Sequence, residues 1–110
     1  MTGSSRRPDP CLWCGREIAE SGMGRRRRYC RQSCRQRAYE QRSQVKGTSI
    51  PADALVLTSE EASAMVDRIF QVRCAAEDVA TAVAEGAAAH EVQSLCADLV
   101  RLAREAERFR

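Results

Sequence analysis

Two pairs of cysteines, Cys11 with Cys14 and Cys30 with Cys34, bracket a stretch that has little else to fold around. From Cys11 to Val45 the larger apolar residues are Leu12, Trp13, Ile18, Met23, Tyr29, Tyr39 and Val45, scattered among arginines and glutamines. Such a segment buries too little apolar surface to offset the entropy of ordering its backbone, so its shape must come from a cross-link. The pattern C-x2-C, fifteen residues, then C-x3-C lets four thiolate sulfurs converge on one tetrahedral zinc ion. Structural zinc contributes on the order of 10–16 kcal/mol in small finger peptides, enough to stand in for the missing core.

Gly15 directly follows the first pair, where a tight turn lets backbone N–H groups point at the sulfurs. Four thiolates around one dication leave a net charge of about −2, which Arg25, Arg26, Arg27, Arg28, Arg31 and Arg35 are placed to offset. With cysteine at all four positions no coordination site is left open, so one structural zinc is expected and no enzyme activity or small-molecule substrate. No thioredoxin-like alternation of strand and helix surrounds CLWC, which argues against dithiol exchange.

The metal reading depends on reduced thiols. No stretch of the chain reaches the length of a membrane span, and MTGSSRRPDP lacks the apolar run of a secretory signal. The expected location is therefore the cytoplasm, where clustered cysteines serve as ligands more often than as disulfides.

Composition shifts along the chain mark its organisation. Residues 1–10 are polar, carry two prolines and read as a disordered lead-in. Residues 11–45 hold the four-cysteine unit. Within it Glu20 to Gly24, ESGMG, offers two glycines for a hairpin tip and predicts two short strands flanking it. From Cys30 the sequence RQSCRQRAYEQRSQ has neither Gly nor Pro and is rich in good helix formers. Gly47 and Pro51 then mark residues 46–57 as a linker.

Thr58 and Glu61 have the spacing of a capping box, and apolar residues follow at alternating steps of three and four: Ala62, Met65, Ile69, Val72, Ala76, Val79 and Val83. A second stripe runs through Val92, Leu95, Leu99, Leu102, Ala106 and Phe109. The two stripes lie about 900° apart in helical phase, on opposite faces of any continuous helix. A bend at Gly86 to Ala89 would bring them together as an antiparallel helical hairpin over residues 58–110, while Ala87, Ala88 and Ala89 keep one long helix as the alternative. Cys74 and Cys96 sit beside the stripes and read as small buried residues; His90, near the bend, has no second ligand beside it.

Charge divides the same way. Residues 1–50 carry twelve Lys/Arg against four Asp/Glu, and residues 51–110 six against eleven. The front half is thus suited to a polyanion and the back half to something else.

The strings CLWCGREI and YCRQSCRQRAYEQR resemble the short treble-clef zinc fingers of actinobacterial chromosomal, plasmid and phage proteins, whose pattern is close to C-x2-CG, a basic loop, then [FY]-C-S-x-x-C-R-Q-x-A-Y-R-x-R. The likeness covers Cys11 to about Arg42. It implies an α+β zinc-binding fold: a knuckle at Cys11 and Cys14, a β-hairpin, and a helix whose first turns supply Cys30 and Cys34. Two positions depart from the pattern. Arg31 replaces a serine suited to capping the helix, and Glu40 replaces a frequent arginine.

On a helix Arg31, Arg35, Tyr39 and Arg42 fall within an arc of about 80°, with Gln32 next to Tyr39, while Cys34 and Ala38 face the knuckle. Arginine and glutamine make bidentate contacts to guanine and adenine edges, and a helix fits the major groove. Arg25 to Arg28 are placed to grip phosphates. Trp13 and Tyr29 are expected to cover the metal site. The expected function is DNA binding by a small bacterial, plasmid or phage regulator, nucleoid-associated, whose helical hairpin forms a homodimer or engages a helical partner. The alternative is a protein-binding adaptor with a structural zinc and no nucleic-acid contact.

Overall fold

The computed structural model describes residues 8–19 and 27–110. The chain divides after Val56 into two compact units. Among the described residues the regular elements are three helices: α1 (Gln32–Val45), α2 (Ser59–Ala84) and α3 (Ala89–Ala106).

The described residues do not form the expected β-hairpin. Among the described residues the only β-type pairing is a single antiparallel bridge between Pro10 and Glu17, so the described fold is helical, not α+β, and the treble-clef assignment falls with it. The reason lies in where the backbone groups go. Cys11 N–H donates to Arg16 O at 2.8 Å and Gly15 N–H to Cys11 O at 2.9 Å, which curls this segment around the thiols. One bond to the opposite stretch remains, Leu12 N–H to Arg28 O at 2.9 Å, too little for a ladder. The tip at Glu20 to Gly24 lies outside the described residues.

The first unit packs around Cys11, Cys14 and Cys34, with Ala38 and Val45 of α1 also buried. Trp13, Ile18, Tyr29 and Cys30 lie against the sulfur cluster. α1 begins at Gln32, so Cys30 stands just ahead of the helix and only Cys34 is in its first turn. Arg31 occupies the N-cap with extended backbone and makes no capping bond, the consequence of lacking a short side-chain oxygen there. Gly47, at φ 83°, ends α1, and the Gln41 side chain then holds Ala54 O at 3.1 Å, folding residues 48–54 back on the helix.

In the second unit α2 and α3 pack on each other as an antiparallel hairpin. The capping box is present in both directions: Thr58 N–H donates to Glu61 Oε1 at 2.9 Å and Glu61 N–H to Thr58 Oγ1 at 3.0 Å. Gly86 at φ 73° closes α2 in a Schellman motif, with Ala87 N–H bonding Ala82 O at 2.9 Å and Gly86 N–H bonding Val83 O at 3.1 Å. The bend therefore falls at Glu85 to Ala88, and the continuous helix is excluded.

The seam differs from the expected stripe on one side. Val92, Leu95, Leu99, Leu102, Ala106 and Phe109 are all half-buried, as their periodicity predicts. On α2 the half-buried set is Glu61, Met65, Arg68, Val72, Ala75, Val79 and Ala82, together with Cys74, whereas Ala62, Ile69, Ala76 and Val83 are exposed. α2 carries apolar residues on two adjoining faces, and periodicity alone does not say which one meets α3. The seam chosen lets the stems of Glu61 and Arg68 lie along it, with their heads bonded to Arg110 and to the Arg108 carbonyl at the open end. Cys74 and Cys96 are free and half-buried, not fully enclosed.

Candidate metal centre and basic cleft

The ligating atoms of Cys11, Cys14, Cys30 and Cys34 all lie within 4.8 Å of one another. Cys30 Sγ is 3.6 Å from Cys14 Sγ and 3.6 Å from Cys34 Sγ. A tetrahedron with metal–sulfur arms of about 2.3 Å has edges of about 3.8 Å, close to these two separations. A disulfide would need about 2.05 Å. The four-cysteine cluster is thus geometrically suited to hold a metal ion. Cys11, Cys14 and Cys34 are buried and Cys30 is the least covered.

Local backbone builds this arrangement. Gly15 takes φ 81°, a left-handed turn that brings the next backbone N–H, that of Arg16, onto the Cys14 sulfur. From the other side, Cys34 sits in the first turn of α1, whose positive dipole end favours a thiolate. No acidic residue stands in that turn to compete.

The thiols of the cluster differ in how readily they ionise. Burial works against ionisation of Cys14, but hydrogen bonds from the Arg16 backbone and side chain, and then from Cys30 and Cys11, outweigh it and bring the thiol down to about 6. Burial, followed by hydrogen bonds among Cys14, Cys34 and Cys11, pushes Cys30 up to about 12. Cys34 is raised as well, burial prevailing over its bonds to Cys30 and Arg31. Cys14 thus ionises readily while Cys30 and Cys34 resist, chiefly because burial disfavours their charged forms and secondarily because of the neighbouring sulfurs. A dication among them reverses that penalty.

Arg31 supplies part of the compensation: its guanidinium bonds the Cys34 sulfur, and the charge of Cys34 and Cys30 holds the group firmly protonated. Arg16, which bonds Cys14, was not among the residues singled out from sequence. Its position directly after C-x-x-C-G was the available signal. Trp13 and Tyr29 cover the cluster as expected, and Tyr29 has a second partner, Arg42, whose guanidinium donates to its hydroxyl at 3.2 Å.

Beside the cluster opens a cleft of about 1260 Å³. Arg27 and Arg28 line it ahead of α1, Arg31, Gln32, Arg35 and Arg42 line it from α1 and its cap, and Pro10 and Leu12 of the cysteine turn face them, with Asp9 adding one carboxylate to the lining. The structure thus gathers most of the predicted basic face in one place. Tyr39 is exposed and is not part of this lining. Arg25 and Arg26 lie outside the described residues. Leu12, one of the few large apolar residues of this unit, is 56% exposed in the same lining, where an isolated leucine carried no sequence pattern to mark it as a surface group.

Among the described residues no helix is long and apolar enough to cross a membrane. No protein-family model, no curated protein and no solved structure matches the chain.

Proposed function

We propose that the chain is a non-catalytic, cytoplasmic zinc-finger protein that binds DNA, a small bacterial, plasmid or phage regulator whose helical hairpin brings two copies together. When bound, zinc supplies the link that ties the Cys11–Cys14 turn to the start of α1. The residues of the chain do the rest. Arg16 and Arg31 offset the charge of the thiolates, Trp13 and Tyr29 exclude water from them, and the remaining arginines are held apart in a fixed array.

One observation supports the reading: Arg27, Arg28, Arg31, Arg35 and Arg42, from the stretch that enters α1 and from α1 itself, line a single cleft against one carboxylate, that of Asp9. Cations collected at that density on a unit with so few acidic groups suit a chain of phosphates. Gln32 and Arg35 stand where an α1 laid along a groove would offer amide and guanidinium groups to base edges. Dimerisation doubles the number of phosphates engaged and turns weak contacts into useful affinity.

The exposed Leu12 and Tyr39 favour the second reading, an adaptor that meets an acidic protein surface. Titration of zinc-loaded protein into random duplex DNA over a range of salt separates the two. DNA binding predicts a log–log slope of several units, and Arg35→Ala with Arg42→Ala lowers that slope by about 1–2 while zinc content stays the same. No binding at low salt, or a flat response, contradicts it.

A further inference from the structure

Neither α2 nor α3 contains a buried residue, although together they carry a full complement of large apolar side chains. The hairpin covers one face of α2, and the adjoining face stays open. Val66 is 63%, Ile69 55%, Phe70 52% and Val83 60% exposed, and Ala62, Ala76 and Ala80 between them are exposed too. Val100 of α3, 52% exposed, falls on the same side of the hairpin by helical phase. Large apolar side chains exposed to this degree offer on the order of 500 Å² per chain, and about 1,000 Å² across a two-fold contact, where specific interfaces begin.

The order of residues on that face names the occupant. Val66, Ile69, Arg73, Ala76, Ala80 and Val83 recur at steps of three, four, three, four and three, a spacing that reads the same in both directions. Its midpoint lies between Cys74 and Ala75. The bulk is one-sided: Ile69, Phe70 and Arg73 stand before the midpoint, Ala76 and Ala80 after it. Two such helices laid antiparallel match Val66 with Val83, Ile69 with Ala80 and Arg73 with Ala76, large on small in the last two. Parallel pairing instead stacks large on large, leaves alanine opposite alanine and puts Arg73 on Arg73.

Charge agrees. Arg73 lies 5.0 Å over the Phe70 ring and 4.0 Å from Glu77 on its own helix. In the antiparallel register each Arg73 comes opposite Ala76 of the other copy, one residue from that copy's Glu77, so charges of opposite sign meet across the axis. An anionic lipid surface is disfavoured, because Asp67, Glu77 and Asp78 border the face.

We propose that this open face of α2 is a self-complementary docking surface for a second copy of the chain, with the two α2 helices antiparallel about a two-fold axis between Cys74 and Ala75. The proposal deepens the self-association assigned to the hairpin above and is independent of the nucleic-acid reading.

The test uses the full zinc-loaded chain. Light scattering gives its mass in solution, and Ile69→Glu is expected to raise the dimer dissociation constant at least about tenfold with helicity unchanged. With Cys74 and Cys96 replaced by alanine, the double variant Val66→Cys/Val83→Cys is expected to cross-link into a covalent dimer under mild oxidation. Val66→Cys alone and the background chain are expected not to. A chain that stays monomeric at tens of micromolar overturns both the self-association and this register. A dimer that Val66→Cys alone cross-links, or that Ile69→Glu leaves intact, keeps self-association and overturns the antiparallel α2 contact.

Discussion

Single residues fix both turns on which the fold depends. Gly15 and Gly86 hold left-handed backbone, at φ 81° and 73°, one beneath the sulfurs and one between the long helices. At Gly86 a Cβ would meet nothing within 4 Å, so any cost of substitution is conformational and not steric. Gly86→Ala is therefore expected to destabilise the second unit by about 1 kcal/mol, read as a lower midpoint in urea with unchanged slope. The residue scale is also where the sequence was most legible. The cysteine spacing singled out the four sulfurs that the fold brings together, because thiol spacing is a local constraint. Arg16 and the Tyr29–Arg42 bond were not legible, since both depend on which way a loop turns.

At the scale of elements, capping chemistry set the helix ends more reliably than composition set strands. The Thr58–Glu61 box opens α2 where the spacing placed it. By contrast, the strands expected beside the tip do not form among the described residues, where the Cys11–Arg16 backbone is committed to curling around thiols. The α2 seam was misread for a different reason. Two adjoining apolar faces share the same period, and only tertiary packing chooses between them.

The box also confers a pH dependence. The Thr58 backbone N–H, with help from Arg110, holds the Glu61 carboxyl below the usual glutamate range. A depressed folded-state value stabilises above the unfolded one, so the contribution is complete at neutral pH. It is lost as pH falls from the ordinary glutamate value through the folded one. Helicity at 222 nm is expected to decline over that acidic window. Glu61→Gln, which can still accept from Thr58, should flatten that part of the profile, and Thr58→Ala should cost about 1 kcal/mol at neutral pH.

For the molecule as a whole, two units rely on different sources of order. The second is built from helix propensity, caps and a half-covered seam. The first has a core made largely of sulfur, and without a cation those sulfurs hinder one another's ionisation. The central claim is that one zinc ion per chain holds the first unit in shape. Native mass spectrometry of the reduced full chain, before and after a strong chelator, tests it most directly when thiol labelling is run in parallel. One zinc per chain is expected, with four thiols protected until the chelator removes it, and loss of α1 helicity on removal while α2 and α3 remain helical. Zinc-free protein that keeps an ordered α1 under reducing conditions, with all four thiols open to labelling, would contradict it.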